Sequence, residues 1–238
     1  MILSVIIPVY NEERTIGSII EIVRAWGKAG EIVVVNDGST DKTLHALAQF
    51  RSSVRVITYT TNRGKGYALS KGISASSGEI LMFLDGDVVG LTFKDLDIML
   101  EPVLAKKADM TLGLARFWSM GSFEPFNEIT GERVVLRKNV LPYIRSMIRL
   151  GYGIEFFLND LHKDKKVISV KLPHVFILGK FEKQKVPAAM LSYIKEARDL
   201  VTQALRQQTG ELTPQAKRIY TLSLEYMRKA LDYFQQPL

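Results

Sequence analysis

The sequence contains no cysteine, and it is poor in tryptophan and histidine, with two and three residues respectively among 238. The absence of cysteine excludes a disulfide framework and thiolate metal sites, and it fits a reducing compartment such as the cytoplasm. No apolar run approaches the roughly 20 residues that cross a bilayer, and Met1 leads directly into a strand-like segment without a basic leader. We therefore expect neither a signal peptide nor a membrane span, and at most a peripheral contact with the inner face of the membrane.

Positive charge is abundant, with a net charge of +7, and it is concentrated in residues 131–185, which hold 12 Lys or Arg against 5 Asp or Glu. Such a face attracts phosphate groups on nucleotides, lipids, phosphorylated small molecules or nucleic acids. Single-stranded nucleic acid also requires aromatic platforms interleaved with the basic residues. We find none, so a basic nucleic-acid-binding protein is only an alternative, and we expect no nucleic acid as a partner.

Strands and helices alternate in the first half of the chain. The hydrophobic pattern predicts strands over residues 3–8, 31–36, 54–59 and 80–84, and a helix follows each of the first three. This order predicts an α/β fold with βαβ units and a mostly parallel sheet flanked by helices. Residues 1–108 would form a nucleotide-binding half, and residues 109–186 an acceptor half.

The second half is predicted to hold a strand at 110–114, helices near 139–148 and 154–163, and a strand from Val167 to Pro173. His162 is expected on the surface of the second of these helices. From about residue 187, two amphipathic stripes separated by Gly210 to Pro214 predict a helical hairpin over 187–238. We expect that hairpin to pack on the core or to form a homodimer.

Polar residues follow each of the four predicted strands at its carboxyl end, where open α/β sheets bind ligands. They are Tyr10-Asn11-Glu12, Asn36-Asp37-Gly38-Ser39, Asn62-Arg63-Gly64-Lys65 and Asp85-Gly86-Asp87. Asp37-Gly38-Ser39 by itself is typical of a turn that caps the next helix. Four polar segments at four consecutive strand ends favour a binding site.

Asp85-Gly86-Asp87 is the most informative of these segments. Two carboxylates one residue apart repel each other unless a cation neutralises them, and Mn²⁺ or Mg²⁺ would suit oxygen ligands. A divalent ion that also binds a diphosphate would stabilise that leaving group. An acidic turn without a ligand is the alternative interpretation.

The blocks Ser4 to Glu12, Val35 to Asp41 and Leu84 to Asp87 resemble, in order and spacing, the three hallmark blocks of the family-2 glycosyltransferases. The resemblance covers roughly residues 1–180 and implies a GT-A fold over residues 1–186. It implies that Pro8, Tyr10, Glu12 and Asp37 hold the base and ribose, and that Lys65 approaches the diphosphate. Asp85 and Gly86 would lie beside the nucleotide sugar, and Asp87 would ligate the metal and act in catalysis.

The second half is similar to glucosyl-3-phosphoglycerate synthases and polyprenyl-phosphate hexosyltransferases in Gly131-Glu132-Arg133, Gly151 to Glu155 and Pro173-His174. This resemblance implies that Glu155 faces the acceptor in a catalytic role and that His174 completes the metal site. Phe156 stands where inverting members often carry a second acidic residue, so the resemblance does not define the catalytic base. Arg133 is a candidate clamp on an acceptor phosphate, and a solvated surface charge is its alternative.

These observations predict an enzyme that moves a hexose from a nucleotide-diphosphate sugar, of the UDP-glucose or GDP-mannose type, to a hydroxyl or phosphate acceptor. The acceptor would be a small molecule or a lipid phosphate. The alternative enzyme class is a nucleotidyltransferase that acts on sugar phosphates. Such enzymes usually carry a glycine-rich phosphate loop with Arg and Lys after the first strand, where this chain has Tyr10-Asn11-Glu12.

Overall fold

The structure is a computed structural model and describes residues 2–117, 130–148, 150 and 153–177. The predicted hairpin at 187–238, and with it the expected dimer contact, lies outside the described residues. Part of the predicted acceptor half, residues 118–129, lies outside them as well.

The first half of the chain contains the predicted alternation of strands and helices. Its elements are β1 (Leu3–Val9), α1 (Ile16–Trp26), β2 (Glu31–Asp37), α2 (Thr43–Ala48), β3 (Arg55–Tyr59), α3 (Lys65–Ala75) and β4 (Ile80–Phe83). All four predicted strands are present, because their local hydrophobic runs are long and end in turn-forming residues.

The remaining elements differ more from prediction. They are β5 (Val88–Val89), α4 (Phe93–Leu104), β6 (Met110–Phe117), β7 (Arg133–Leu136), α5 (Arg137–Val140), a short 3-10 helix (Leu141–Tyr143), α6 (Ile144–Met147), α7 (Ile154–Leu161) and β8 (Val167–Ile177).

Three differences from the sequence prediction have local physical causes. Helix α4 was not predicted, although Thr92 and Asp95 form a capping box at its start. The single helix expected near 139–148 is three short pieces around Pro142, because proline has no backbone donor for a continuous helix. Strand β8 does not end at Pro173 but continues to Ile177, so His174 lies within it.

The sheet has eight strands in the order β3-β2-β1-β4-β7-β6-β8-β5 among the described residues. Strands β3, β2, β1 and β4 are mutually parallel. Strand β7 runs antiparallel between β4 and β6, β8 is parallel to β6, and β5 is antiparallel to β8. The predicted mostly parallel sheet is therefore confirmed, with a mixed second half that the sequence pattern did not predict.

Helices cover both faces of this sheet. Val5 and Ile7 of β1 belong to the apolar core shared with α1 and α4. Ile6, between them, belongs to a second core shared with α3 and α7. Because successive strand residues point to opposite faces, burial of all three shows that the sheet is the middle layer of three.

Gly72 brings helix α3 close to the sheet. A Cβ atom at this position would collide with Cγ2 of Ile6, a fully buried side chain. In α1, by contrast, a Cβ on Gly17 would lie 3.9 Å from the nearest atoms of Gln49 and Phe50, which is ordinary contact.

We predict that Gly72→Ala lowers the free energy of unfolding by about 1–3 kcal/mol, because overpacking outweighs the gain in helix propensity. Gly17→Ala is the matched control, and we expect it to be neutral or to stabilise by at most about 1 kcal/mol. Urea unfolding of both variants measures the difference. A Gly72→Ala protein as stable as Gly17→Ala would contradict the close helix–sheet contact.

Candidate active site

The loops that follow β1 and β2 are joined by hydrogen bonds at the carboxyl edge of the sheet. The backbone N–H of Asn11 donates to Oγ of Ser39 at 3.0 Å, and the backbone N–H of Thr40 donates to Oδ1 of Asn11 at 2.8 Å. Asn11 adopts a left-handed conformation with φ of 59°, which asparagine tolerates better than most residues. Two of the predicted polar segments are thus one connected structure.

The loop after β1 also supports the Asp85-Gly86-Asp87 turn. Thr15 donates its hydroxyl proton to the carbonyl oxygen of Gly86 at 2.5 Å, and a Cβ atom on Gly86 would come within 2.8 Å of Val9. The backbone N–H of Glu12 donates to Oγ1 of Thr43 at 2.8 Å. Through these backbone contacts, Glu12 and Gly86 hold the loops together at the carboxyl edge of the sheet.

Pro8 and Tyr10 lie at the same edge. Pro8 is half-buried, and Tyr10 is 40% exposed. An exposed aromatic ring beside the loops of β2 and β4 suits the predicted contact with a nucleotide base.

Asp37 organises the loop after β3 rather than the helix that directly follows it in sequence. Its carboxylate accepts backbone N–H bonds from Arg63 at 3.0 Å and from Gly64 at 2.7 Å. Helix α2 is instead supported by Asp41, which accepts from the backbone N–H of Thr43 at 2.9 Å. Burial raises the pKa of Asp37, and the two backbone hydrogen bonds offset only part of that rise.

Lys65 joins the first and second halves of the chain. Its ammonium group lies 2.7 Å from Oδ1 of Asp85 and 2.6 Å from Oε1 of Glu155, and all three side chains are at most 20% exposed. Burial lowers the pKa of Lys65, but the attraction of both carboxylates outweighs burial and leaves the pKa raised. The structure thus brings together three predicted site residues and supplies the cation that Asp85 requires.

Glu132 lies beside this group, fully buried. Oγ1 of Thr130 is 2.7 Å from the carbonyl oxygen of Gly113 and 2.6 Å from Oε2 of Glu132. A carbonyl oxygen can only accept, so the single hydroxyl proton of Thr130 goes to Gly113. When the Glu132 carboxyl group is protonated, it can donate its own proton to Oγ1 of Thr130 across this short contact.

The electrostatics of the site favour the protonated form of Glu132 up to about neutral pH. Burial, together with the negative charges of Asp85 and Asp87, raises the pKa of Glu132 to about 7. The other oxygen of Glu132, Oε1, is buried without a hydrogen-bond partner in the part of the chain that the structure describes. Burying a neutral carboxyl group in this way costs less free energy than burying an anion.

Arg133 is fully buried, so the alternative interpretation of this residue as a solvated surface charge is wrong. Its Nε donates to the carbonyl oxygen of Thr130 at 2.7 Å, and its Nη1 donates to Oδ1 of Asn159 at 2.5 Å. Burial lowers the pKa of Arg133 to about 10, opposed chiefly by the negative charges of Glu155 and Asp85, which leaves the guanidinium charged at neutral pH. This geometry favours a role in positioning α7 over direct contact with an acceptor phosphate.

Asp87 and His174 were predicted to hold a metal. Asp87 is half-buried at the turn after β4, and β5, which follows it, pairs with Phe176 and Ile177 of β8. The β6–β8 pairing shifts register between Leu114 and Arg116, opposite the segment with Pro173 and His174, because proline cannot donate to the ladder. Ligation by His174 stays a prediction.

Within the described ranges, no three His, Asp or Glu side chains stand close enough together to hold a metal ion. The site therefore does not fit an all-protein metal cage. It fits an ion that takes one or two carboxylates from the chain and its other ligands from a diphosphate and water, as Mg²⁺ commonly does.

The residues that support Lys65, Asp85 and Glu155 were not evident from the sequence. Thr15, Thr130, Glu132 and Asn159 were not identified, although Glu132 stood inside a noticed motif. His162, expected on the surface, is buried, and its Nδ1 lies 2.8 Å from the carbonyl oxygen of Leu158. Burial lowers the pKa of His162.

Comparison with solved structures defines the fold. The chain superposes with a TM-score of 0.61 and 22% identity on glucosyl-3-phosphoglycerate synthase from Mycobacterium tuberculosis in complex with Mn²⁺, UDP and glucosyl-3-phosphoglycerate, covering 80% of this chain and 79% of that one. Staphylococcus aureus TarS gives a TM-score of 0.60 at 17% identity, over 86% of this chain and 70% of that one. The predicted GT-A fold is confirmed.

The sequence comparisons identify the family. The family model of Glycosyl transferase family 2 matches residues 4–160, and the chain belongs to this family. Dolichyl-phosphate beta-glucosyltransferase of Dictyostelium discoideum is 30% identical over 67% of this chain and 49% of that protein. Glucosyl-3-phosphoglycerate synthase of Mycolicibacterium smegmatis is 32% identical over 42% of this chain and 34% of its own length. The chain thus spans a third to a half of the length of these relatives.

No helix among the described residues is long and apolar enough to cross a membrane.

The proton on Glu132 makes stability depend on pH. Because the pKa in the folded chain, about 7, exceeds the ordinary value of 4.5, folding favours the protonated form. This contribution is fully present below pH 4.5 and is lost as the pH rises through 7, with a slope of at most about 1.4 kcal/mol per pH unit. Glu132→Gln keeps a donor to Thr130 and cannot ionise.

We therefore predict that wild type loses stability relative to Glu132→Gln as the pH rises from about 5 to about 8. Urea unfolding at a series of pH values measures the difference. Glu21→Gln, which removes an exposed carboxylate, is the control. Parallel pH profiles of wild type and Glu132→Gln would show that Glu132 carries no extra proton.

Proposed function

We propose that the chain transfers a hexose from a nucleoside-diphosphate sugar to a hydroxyl or phosphate oxygen of an acceptor, assisted by Mn²⁺ or Mg²⁺. The observation that carries this proposal is the Lys65–Asp85–Glu155 cluster, which stands beside Asp87 at the carboxyl edge of a GT-A sheet. The family assignment and the UDP and Mn²⁺ in the M. tuberculosis complex support it.

In the proposed reaction, the bond between the anomeric carbon and the diphosphate oxygen breaks, the acceptor oxygen bonds to the anomeric carbon, and a hydroxyl acceptor releases its proton to the departing diphosphate. Asp87 would hold the metal, which supplies positive charge to the departing diphosphate. The ammonium group of Lys65 would add a second positive charge beside the departing diphosphate, and this charge does not depend on the metal. Its two carboxylate partners fix the ammonium in position before substrate arrives, which is the preorganisation that stabilises a developing charge.

Two relatives support a phosphate-bearing acceptor. The names of the two curated relatives contain phosphoglycerate and dolichyl phosphate, which share a phosphate group but differ in size and polarity. Glu155, buried at the first turn of α7 and bound to Lys65, would face the acceptor and link its arrival to the diphosphate site. We place the base and ribose of the donor against Tyr10 and Asp37.

We predict that Asp87→Ala lowers the rate of sugar transfer by about 10²-fold or more while the chain stays folded, because a metal ligand near the leaving group is lost. The assay uses purified protein with UDP-glucose or GDP-mannose, Mn²⁺, and 3-phosphoglycerate or a polyprenyl phosphate, and it measures released nucleotide. Asp164→Ala, which removes an exposed carboxylate, is the control. Undiminished transfer by Asp87→Ala in excess EDTA would contradict the metal role.

A second prediction separates donor binding from loop support at Asp37. Asp37→Ala and Asp41→Ala each remove a carboxylate that accepts backbone N–H bonds, so each should lose about 0.5–2 kcal/mol of stability. Only Asp37→Ala should also weaken nucleotide binding, measured by calorimetry with UDP or GDP and Mn²⁺. Equal nucleotide affinity in the two variants would leave Asp37 a purely structural residue.

A further inference from the structure

A cavity of about 670 Å³ lies at the edge of the sheet opposite the candidate active site. Its lining includes residues at the start of β4, at the end of β7 and just before β6 and β8, among them Glu79, Leu136, Asp109 and Lys166. Asp85 and Asp87 follow the other end of β4. We call this space the rear cavity, and its size is within the range of small-molecule sites.

The rear cavity has an apolar lining. Val103 and Ala108 are buried, and Leu136 is half-buried, while Leu141 also lines the cavity and is 37% exposed. An apolar surface of this kind favours a ligand with a hydrocarbon portion, because its burial removes apolar area from water.

The lining of the rear cavity is predominantly basic, with five basic and two acidic residues. Lys107 pairs with Glu101 at 2.9 Å. In the described part of the chain, Lys106, Lys138 and Lys166 form no ion pair with a carboxylate. With Glu79 and Asp109 counted, the lining still has an excess of three positive charges, which attracts an anion.

Arg137 adds a fourth cation whose position is fixed. Its Nη2 donates to the carbonyl oxygens of Ser76 at 3.1 Å and Ile73 at 3.4 Å. Carbonyl oxygens orient a guanidinium but do not neutralise its charge. The rear cavity thus combines an ordered cation, three amines and an apolar wall.

We propose that the rear cavity is a second binding site, distinct from the sugar-transfer site, for a phosphate-bearing amphiphile. The phosphate would bind among Lys106, Lys138 and Lys166, since a phosphate carries up to two negative charges and accepts several charge-assisted hydrogen bonds. The hydrocarbon part would lie on Leu136 and Leu141, the apolar lining residues that are at least partly exposed. A membrane lipid and a free phosphate ester share this chemistry.

The test is calorimetric titration of the full chain with hexyl phosphate, inorganic phosphate and hexanol. We expect hexyl phosphate to bind at least about tenfold more tightly than either other probe, and to bind more weakly as salt is added. The double variant Lys138→Glu/Lys166→Glu should lose about tenfold or more of the hexyl phosphate affinity. Both lysines are exposed, so the charge change should not disturb the core.

The matched control is Arg24→Glu/Arg51→Glu, which makes the same change in net charge at two exposed residues outside the cavity. Its affinity should stay within about twofold of wild type. Equal affinity in the two double variants would place hexyl phosphate elsewhere and overturn the proposal. Absence of hexyl phosphate binding to wild type, or binding no tighter than that of inorganic phosphate, would overturn it as well.

Vesicles identify the source of the ligand. Co-sedimentation with vesicles of phosphatidylcholine and phosphatidic acid that is lost in Lys138→Glu/Lys166→Glu would indicate a membrane lipid. Hexyl phosphate binding without co-sedimentation would indicate a free phosphate ester. Either result, together with the expected titrations, supports the site.

Discussion

The attraction between Lys65 and the two carboxylates of Asp85 and Glu155 is the interaction on which the site depends. Lys65 begins α3, Asp85 follows β4, and Glu155 begins α7, so one ammonium group holds together three elements that are far apart in sequence. Without that cation, two largely buried carboxylates would face each other, and breaking a buried pair of this kind costs about 3–5 kcal/mol. The parallel half and the mixed half of the sheet therefore meet at a charge balance as well as at an apolar core.

The supporting groups complete this balance. Arg133 contributes a second buried cation, and the proton on Glu132 removes what would be a further negative charge. Burial of these charged side chains without partners of opposite charge would be unfavourable, because an isolated charge loses its hydration when it is buried. The buried charges of the cluster consequently come close to balance, which suits the proposed binding and release of an anionic nucleotide.

Local sequence signals predicted the parallel half well, because β1, β2 and β4 are mostly apolar and each ends in, or is followed within two residues by, Asn or Asp. The second half depends on contacts that no local pattern contains. The buried position of Arg133 requires Asn159, 26 residues later, and β7 is a strand only because β4 and β6 lie on its two sides. The raised pKa of Glu132 follows from its burial close to Asp85 and Asp87, which becomes evident only when the fold places these carboxylates near each other.

The antiparallel insertion of β7 has a consequence for the diversity of the family. Strand β6 ends and β7 begins at the same edge of the sheet, the edge that carries Asp85 and Glu132. A change in the number of residues that precede Thr130 would leave the pairing of β7 with β4 and with β6 unchanged. The fold therefore allows the proposed acceptor half to change while the strand ends that carry the proposed donor site are kept.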